Sequence, residues 1–281
     1  MLNRIQVINK TFITLLCLLA SSDTIASEPK NWQILFQTPA SPLMEELHRF
    51  HNFLLCIIIA IVALVALLLG YVCVRFRAKR NPVPAAFSHN VLIETMWTVI
   101  PVIILIIIAI PSFRILAMME KIPDSEITVK VVGYQWYWHY IYPDNENIEF
   151  DSYIISEENL KVGQKRLLEV DNLLVIPENT VVKFLITGGD VLHSFAVPSL
   201  GIKMDAVPGK INETWTKVTK PGIYYGQCSE LCGVHHGFMP IAIEVVSKED
   251  FAKWLGLAKI KFATQYGMKR MSHLIIENIY E

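Results

Sequence analysis

The sequence predicts a two-helix membrane hairpin followed by an all-β sandwich, on three observations. The 281 residues are 53% hydrophobic and only 18% charged, too apolar for an ordinary soluble chain. Two apolar stretches in the first half are each long enough to cross the roughly 30 Å hydrocarbon layer of a bilayer as a helix. After Glu120 the chain turns to short β-rich runs separated by Gly, Pro, Asn and Asp, the cadence of a sandwich or barrel.

Residues 1–26 carry Arg4 and Lys10, then the apolar run Phe12 to Ala20, then small and polar residues through Ala26. That order is a bacterial secretory signal peptide, and its removal leaves the mature N-terminus outside the cytoplasm. Residues 27–120 form the transmembrane hairpin, with spans at about 53–74 and 96–116. The first span ends in Arg75, Arg77, Lys79 and Arg80, a cationic flank that marks the cytoplasmic side. Pro82 and Pro84 break the chain before the second span, whose Pro101 and Pro111 are tolerated where neighbouring helices satisfy the freed carbonyls. Glu94 and Arg114 lie at its two ends, where a charge can snorkel to the interface. Signal and hairpin together place everything after Glu120 outside the cytoplasmic membrane.

Residues 121–247 read as the β domain. Strands are expected at Ile127 to Val132, Tyr153 to Ile155, Leu167 to Val170, Val181 to Thr187, Trp215 to Val218, Gly222 to Gly226 and Ile241 to Val246. Residues 248–281 hold an amphipathic helix over Phe251 to about Thr264, then an unassigned tail. From Ala117 onward there are 21 acids against 16 bases, a balance that excludes a nucleic-acid role.

Three of the five cysteines, Cys17, Cys56 and Cys73, sit in apolar runs and behave as small hydrophobes. Cys228 and Cys232 fall instead in the stretch YYGQCSELCGVHHGFMP, Tyr224 to Pro240, which spaces Cys228, Cys232, His236 and Met239 as Cys-x3-Cys-x3-His-x2-Met. Two thiolates, an imidazole and a thioether suit copper better than magnesium, calcium or manganese. Flanking strands and the upstream His193 make the pattern that of a cupredoxin-like sandwich, where the last interstrand loop and an earlier strand end share the ligands. A mononuclear blue-copper site uses one thiolate; the second cysteine invites a second metal, bridged by both sulfurs, with one histidine on each ion, Met239 on one and a main-chain carbonyl on the other. A closed zinc site would leave Met239 without purpose. A membrane-anchored copper-binding assembly factor would carry Cys-x3-Cys on a thioredoxin-like α/β domain, against the β-only pattern here. Spacing alone does not choose between His235 and His236. The aromatic run Tyr134 to Trp138 reads either as a strand with buried rings or as something functional.

These residues closely resemble subunit II of the haem–copper cytochrome c oxidase family, the copper A (CuA) type. The resemblance covers nearly the whole mature chain, through ETMWTVIP and IPSFRIL on the second span, VVGYQWYWHY at Val131, FDSYI at Phe150, LLEVDN at Leu167, DVLHSFAVPSLGIKMDAVPG at Asp190 and PGIYYGQCSELCGVHHGFMPI at Pro221. It implies a dinuclear copper centre bridged by Cys228 and Cys232, with His193 and His236 on one copper each, Met239 completing one shell and the carbonyl of Glu230 the other. The Glu230 side chain would reach a magnesium or manganese ion shared with subunit I. Trp136 would take electrons from cytochrome c, drawn by nearby acids among Asp144, Glu146, Glu149, Asp151, Glu157, Glu158 and Asp190. Glu94 would stand at the entrance of a proton path in subunit I. The implied role is the electron-entry subunit of a respiratory oxidase and translocase in the bacterial inner membrane. Its partners are subunit I, where O2 is reduced to water with proton pumping, and the other oxidase subunits. Quinol oxidase relatives lack the copper ligands that are intact here. Phe195 stands where many relatives have Trp, a change of packing, and no Cys-x-x-Cys-His haem motif is present.

Overall fold

The computed structural model describes residues 27–83 and 85–262; the signal segment, Pro84, Cys17 and the tail lie outside them. Helix α1 spans Pro42–Arg75 and helix α2 Val91–Glu120. Ser41 caps α1 by accepting from the Met44 N–H at 3.1 Å, with Pro42 in the first turn, where its missing N–H costs nothing. At 1.5 Å per residue α1 is about 51 Å long, so it outruns the hydrocarbon layer and carries Glu45, Glu46, His48, Arg49 and His51 above it. Both helices hold apolar windows almost wholly uncovered by the chain itself. Pro101 and Pro111 sit inside α2, as a membrane helix permits.

Ten strands follow among the described residues: β1 Ile127–Tyr134, β2 Tyr137–Tyr142, β3 Ile148–Ser152, β4 Leu174–Pro177, β5 Val181–Gly188, β6 His193–Val197, β7 Ile202–Ala206, β8 Asn212–Lys217, β9 Gly222–Cys228 and β10 Pro240–Val246. They make two five-stranded sheets, β3-β2-β1-β5-β8 and β4-β10-β9-β6-β7, with parallel pairs at β1–β5 and β4–β10 and antiparallel pairs elsewhere. One apolar core lies between the sheets, including Trp138, Tyr140, Phe150, Phe184, Phe195, Leu174 and Ile241. Phe195 packs edge-on to Trp138 at 5.2 Å. A third helix, α3, covers 248–262, and its Phe251, Trp254 and Phe262 close one end of the core against Tyr142 and Phe150.

Two expected strands are corrected. Tyr153 to Ile155 and Leu167 to Val170 meet only through a single Ile154–Val170 bridge, because Leu167 takes φ +66° and the chain turns instead of extending. Five strands not foreseen, β2, β3, β4, β6 and β7, complete the sheets.

The segment before α1 is part of the sandwich. Ser27 bridges Tyr224 of β9: its N–H donates to the Ile223 carbonyl at 3.2 Å and its carbonyl accepts from the Tyr225 N–H at 3.4 Å. Glu28 pairs with Lys165. Farther on, the Ala40 N–H donates to the Ser199 carbonyl at 2.9 Å and the Ser41 hydroxyl to the Leu200 carbonyl at 2.8 Å. The Trp215 indole donates to the Met118 carbonyl at 3.3 Å. The outer ends of both helices are thereby fastened to the β domain.

Candidate metal centre

Strand β6 begins at His193 and β9 ends at Cys228, and the Phe195–Cys228 register of this pair brings imidazole and thiol together at one end of the sandwich. The loop from β9 to β10 supplies the rest. Cys228 Sγ and Cys232 Sγ stand 3.9 Å apart as free thiols. His193 Nδ1 lies 3.8 Å from Cys228 Sγ, His236 Nδ1 3.5 Å from Cys232 Sγ, Met239 Sδ 3.5 Å from Cys232 Sγ and the Glu230 carbonyl 3.3 Å from Cys228 Sγ. The ligand atoms of His193, Cys228 and Cys232 all fall within 4.8 Å of one another. Two sulfurs at the centre, a nitrogen beside each, and a soft thioether and a carbonyl at opposite ends match the donor chemistry of a copper site. His235, which spacing could not separate from His236, turns away and stands edge-on to Trp136 at 4.7 Å.

Supporting groups hold these donors. His193 has 0% of its surface exposed, and its Nε2 is 2.9 Å from Asp190 Oδ1, leaving Nδ1 for the sulfur side. Asp190 also accepts from the Val191 N–H at 2.6 Å and the Gln135 N–H at 2.8 Å. The Trp138 indole donates to the Met239 carbonyl at 3.3 Å. Gly133 of β1 lets the His193 ring lie against its backbone: a Cβ there would sit 2.9 Å from both Cγ and Cδ2 of the imidazole. Asp190 and Gly133 were missed as supports in the sequence; the Asp-x-x-His spacing was the available sign for the first.

Burial favours neutral thiols, but at Cys228 the hydrogen bonds to His193 and to the main chain outweigh it and bring the group down to about 7. Cys232 is pushed up to about 12 by burial and then by the Cys228 charge. At His193 burial opposes the charge, yet the bonds to Cys228 and Asp190 prevail and raise its pKa. Asp190 is held below the usual carboxylate range, burial being outweighed by His193 and the two backbone N–H groups.

Trp136 sits in the β1–β2 connection, half-buried over the metal loop. Its indole donates to the Cys232 carbonyl at 3.2 Å, and Gln135 Nε2 donates to the same oxygen at 2.8 Å. A largely apolar groove of about 700 Å³ opens beside it, walled by Tyr153, Ile155, Leu167, Val234 and Phe238. The acids expected to face a donor mostly have other duties. Asp144 accepts from the Thr128 N–H, Glu146 pairs with Lys259, Asp151 and Glu149 flank His139, and Asp190 holds His193. Glu157, paired with Arg166, is the acid on the groove itself. Glu230 is exposed. Far away on the hairpin, Glu94 accepts from the Asn90 N–H at 3.3 Å while Asn90 accepts from the Ile93 N–H at 3.2 Å, a reciprocal cap on α2.

Comparison with known proteins finds the model of the cytochrome C oxidase subunit II periplasmic domain matching residues 127–246, and that of the subunit II transmembrane domain matching 29–115. The protein named "Probable cytochrome c oxidase subunit 2" in Rickettsia felis is 72% identical over 247 residues, 88% of this chain and 78% of that one. Its Rickettsia prowazekii namesake is 68% identical over 264 residues, covering 94% and 84%. The crystal structure of the periplasmic domain of subunit II of cytochrome oxidase from Bradyrhizobium japonicum is 52% identical, covers 50% of this chain and 99% of its own, and has a TM-score of 0.48.

Proposed function

This chain belongs to the cytochrome c oxidase subunit II family, and from that premise we propose that it receives electrons from cytochrome c at a dinuclear copper centre and passes them to haem in subunit I, where O2 is reduced to water with proton pumping. As a family member it is a multi-pass inner-membrane subunit of an oxidoreductase complex, with an electron-transfer role and its β domain on the periplasmic side. The reading is carried by one observation, the convergence of two unbonded sulfurs, two imidazole nitrogens, a thioether and a carbonyl at one end of the sandwich.

In this reading Cys228, Cys232, His193, His236, Met239 and the Glu230 carbonyl would together hold the two coppers, the two thiolates as the shared donors and the two imidazoles, the thioether and the carbonyl as the individual ones. When bound, such a pair would supply one-electron chemistry. Asp190 keeps Nδ1 of His193 aimed at the sulfurs and Trp138 anchors the Met239 main chain. Trp136, hydrogen-bonded to the carbonyl of a copper-binding cysteine, joins the apolar groove where a donor would dock to the metal loop. The exposed Glu230 carboxylate is assigned to a magnesium or manganese ion at the subunit I boundary, and Glu94 to the mouth of a proton path there. The domain limits assigned are a signal peptide at 1–26, the hairpin at 27–120, the copper domain at 121–247 and the helix with tail at 248–281.

Metal analysis with EPR on the purified oxidase tests the proposal. The expected result is two coppers in this subunit with a hyperfine pattern from one electron shared by both. A single copper, or zinc, would refute it; a single copper without electron transfer would instead indicate an assembly factor.

A further inference from the structure

The turn at residues 30–36, just ahead of α1, presents a cluster of apolar side chains left largely open among the described residues. Trp32 is 98% exposed, Ile34 95%, Leu35 48% and Phe36 46%. Such a cluster on a water-facing loop would be unfavourable, and its local construction does not hide it. Trp32 sits in the left-handed region at φ +61°, a conformation unfavourable for a bulky residue.

Four backbone groups of the turn find partners within it. Gln33 N–H donates to the Lys30 carbonyl at 3.1 Å, the Gln33 side chain accepts from the Lys30 N–H at 3.1 Å, and its amide donates to the Phe36 carbonyl at 2.8 Å. One glutamine thus braces the turn with its polar atoms folded inward while Trp32, Ile34 and Leu35 point away. Segments that enter a nonaqueous layer need that arrangement, because unsatisfied backbone groups there are costly.

Position decides what lies against it. The Phe36 ring packs at a tilt against His51, 4.4 Å between centroids, and approaches His48 edge-on at 6.4 Å. His51 is nine residues into α1, roughly 14 Å along its axis at 1.5 Å per residue. The chain therefore descends beside α1 to the level where its continuous apolar run begins, at Phe53, before climbing back to the helix start. Tryptophan with apolar neighbours and a lysine at this depth is the composition of a membrane–water interface.

We propose that residues 30–36 form an interfacial foot, which seats Trp32, Ile34 and Leu35 in the headgroup–acyl boundary of the outer leaflet and sets the height of the β domain above the bilayer. The foot is continuous with the membrane surface of α1, and Lys30 lies at its edge in reach of lipid phosphates. Ser27 and Glu28 on one side, and Ala40 and Ser41 on the other, tie it to the sandwich, so that lipid contact at the foot bears on the copper domain.

Photolabelling of the intact oxidase in vesicles of phosphatidylcholine and phosphatidylglycerol tests this. One phospholipid probe carries a diazirine near the glycerol end of its acyl chain, a second at the methyl end, and adducts are mapped by mass spectrometry. Adducts on residues 31–36 from the shallow probe alone are expected, with Trp32 spared by water-borne hydroxyl radicals. The double variant Ile34→Asp with Leu35→Asp should lose those adducts and retain its full copper content. Trp32 oxidised by radicals without lipid adducts would put the turn in water and overturn the proposal. Protection from both reagents would place another oxidase subunit over it and overturn the proposal equally.

Discussion

Replacing Gly133 by alanine is the sharpest test of how the β sandwich shapes its metal loop, because it replaces no proposed ligand and acts on His193 only through packing. The new Cβ would stand 2.9 Å from Cγ and Cδ2 of His193, where ordinary contacts begin at 3.4 Å, so the ring or strand β1 must give by about 0.5 Å. Neither moves freely: the ring is fully buried and tied to Asp190, and β1 is the middle strand of its sheet. Overpacking of this kind costs about 1–3 kcal/mol. At about 3–4 °C per kcal/mol for a domain of this size, Tm should fall by roughly 3–12 °C. The displaced imidazole should also change the copper EPR signal. Gly237→Ala is the control, since its Cβ meets nothing within 4 Å on the same loop; its Tm and EPR should match the parent. Calorimetry and EPR of the three proteins decide the matter. A Gly133→Ala protein with unchanged Tm and signal would refute the claim that His193 is held by close backbone approach.

Other outcomes follow from the same geometry. Asp190→Asn should weaken copper binding about 10–100-fold by loosening the orientation of His193, read by competition with a copper chelator. Trp136→Phe should leave the copper spectrum intact and slow electron entry from cytochrome c in stopped flow, since it removes the indole bond to the Cys232 carbonyl; unchanged kinetics would place entry elsewhere. In the copper-free domain, thiolate absorbance should show a first proton lost near pH 7 and a second only near pH 12. The sign follows from the ordinary value of 9.0. Lowered Cys228 contributes stability that is present above pH 9 and lost as pH falls through about 7; raised Cys232 contributes stability present below pH 9 and lost as pH rises through about 12. Denaturant midpoints of the copper-free domain should reflect both slopes.

The hairpin was plain in the sequence because an uninterrupted apolar run has few alternative fates, and the metal loop because four soft donors in twelve residues have few alternative uses. Strands such as β5, with its alternating burial, were legible for the same reason. Strand β6 was hidden: all five residues of His193–Val197 are buried, so no alternation marks it, and the run is too short to stand out from a loop. The choice between His235 and His236 also depended on more than spacing. A short 3-10 turn at His236–Phe238 sends one ring to sulfur and the other to Trp136, a difference of direction that composition does not encode. Asp190 looked like a surface charge for attracting a donor because its tether to His193 becomes apparent only when β6 is placed.

The bridge from Ser27 to β9 has a consequence for the order in which the molecule is assembled. Strand β6 pairs with β9 only at Phe195 and Ala196, opposite Cys228 and Gln227, so the Ile223–Tyr225 flank of β9 is completed by a segment made roughly two hundred residues earlier. Between the two, the ribosome must deliver both membrane helices and most of the sandwich, which makes this one of the longest loops the chain has to close. The first periplasmic residues therefore wait for nearly the last strand. A soluble fragment that starts after Glu120 would leave the Ile223 carbonyl and Tyr225 N–H without these partners, a short open edge on which a second fragment could pair.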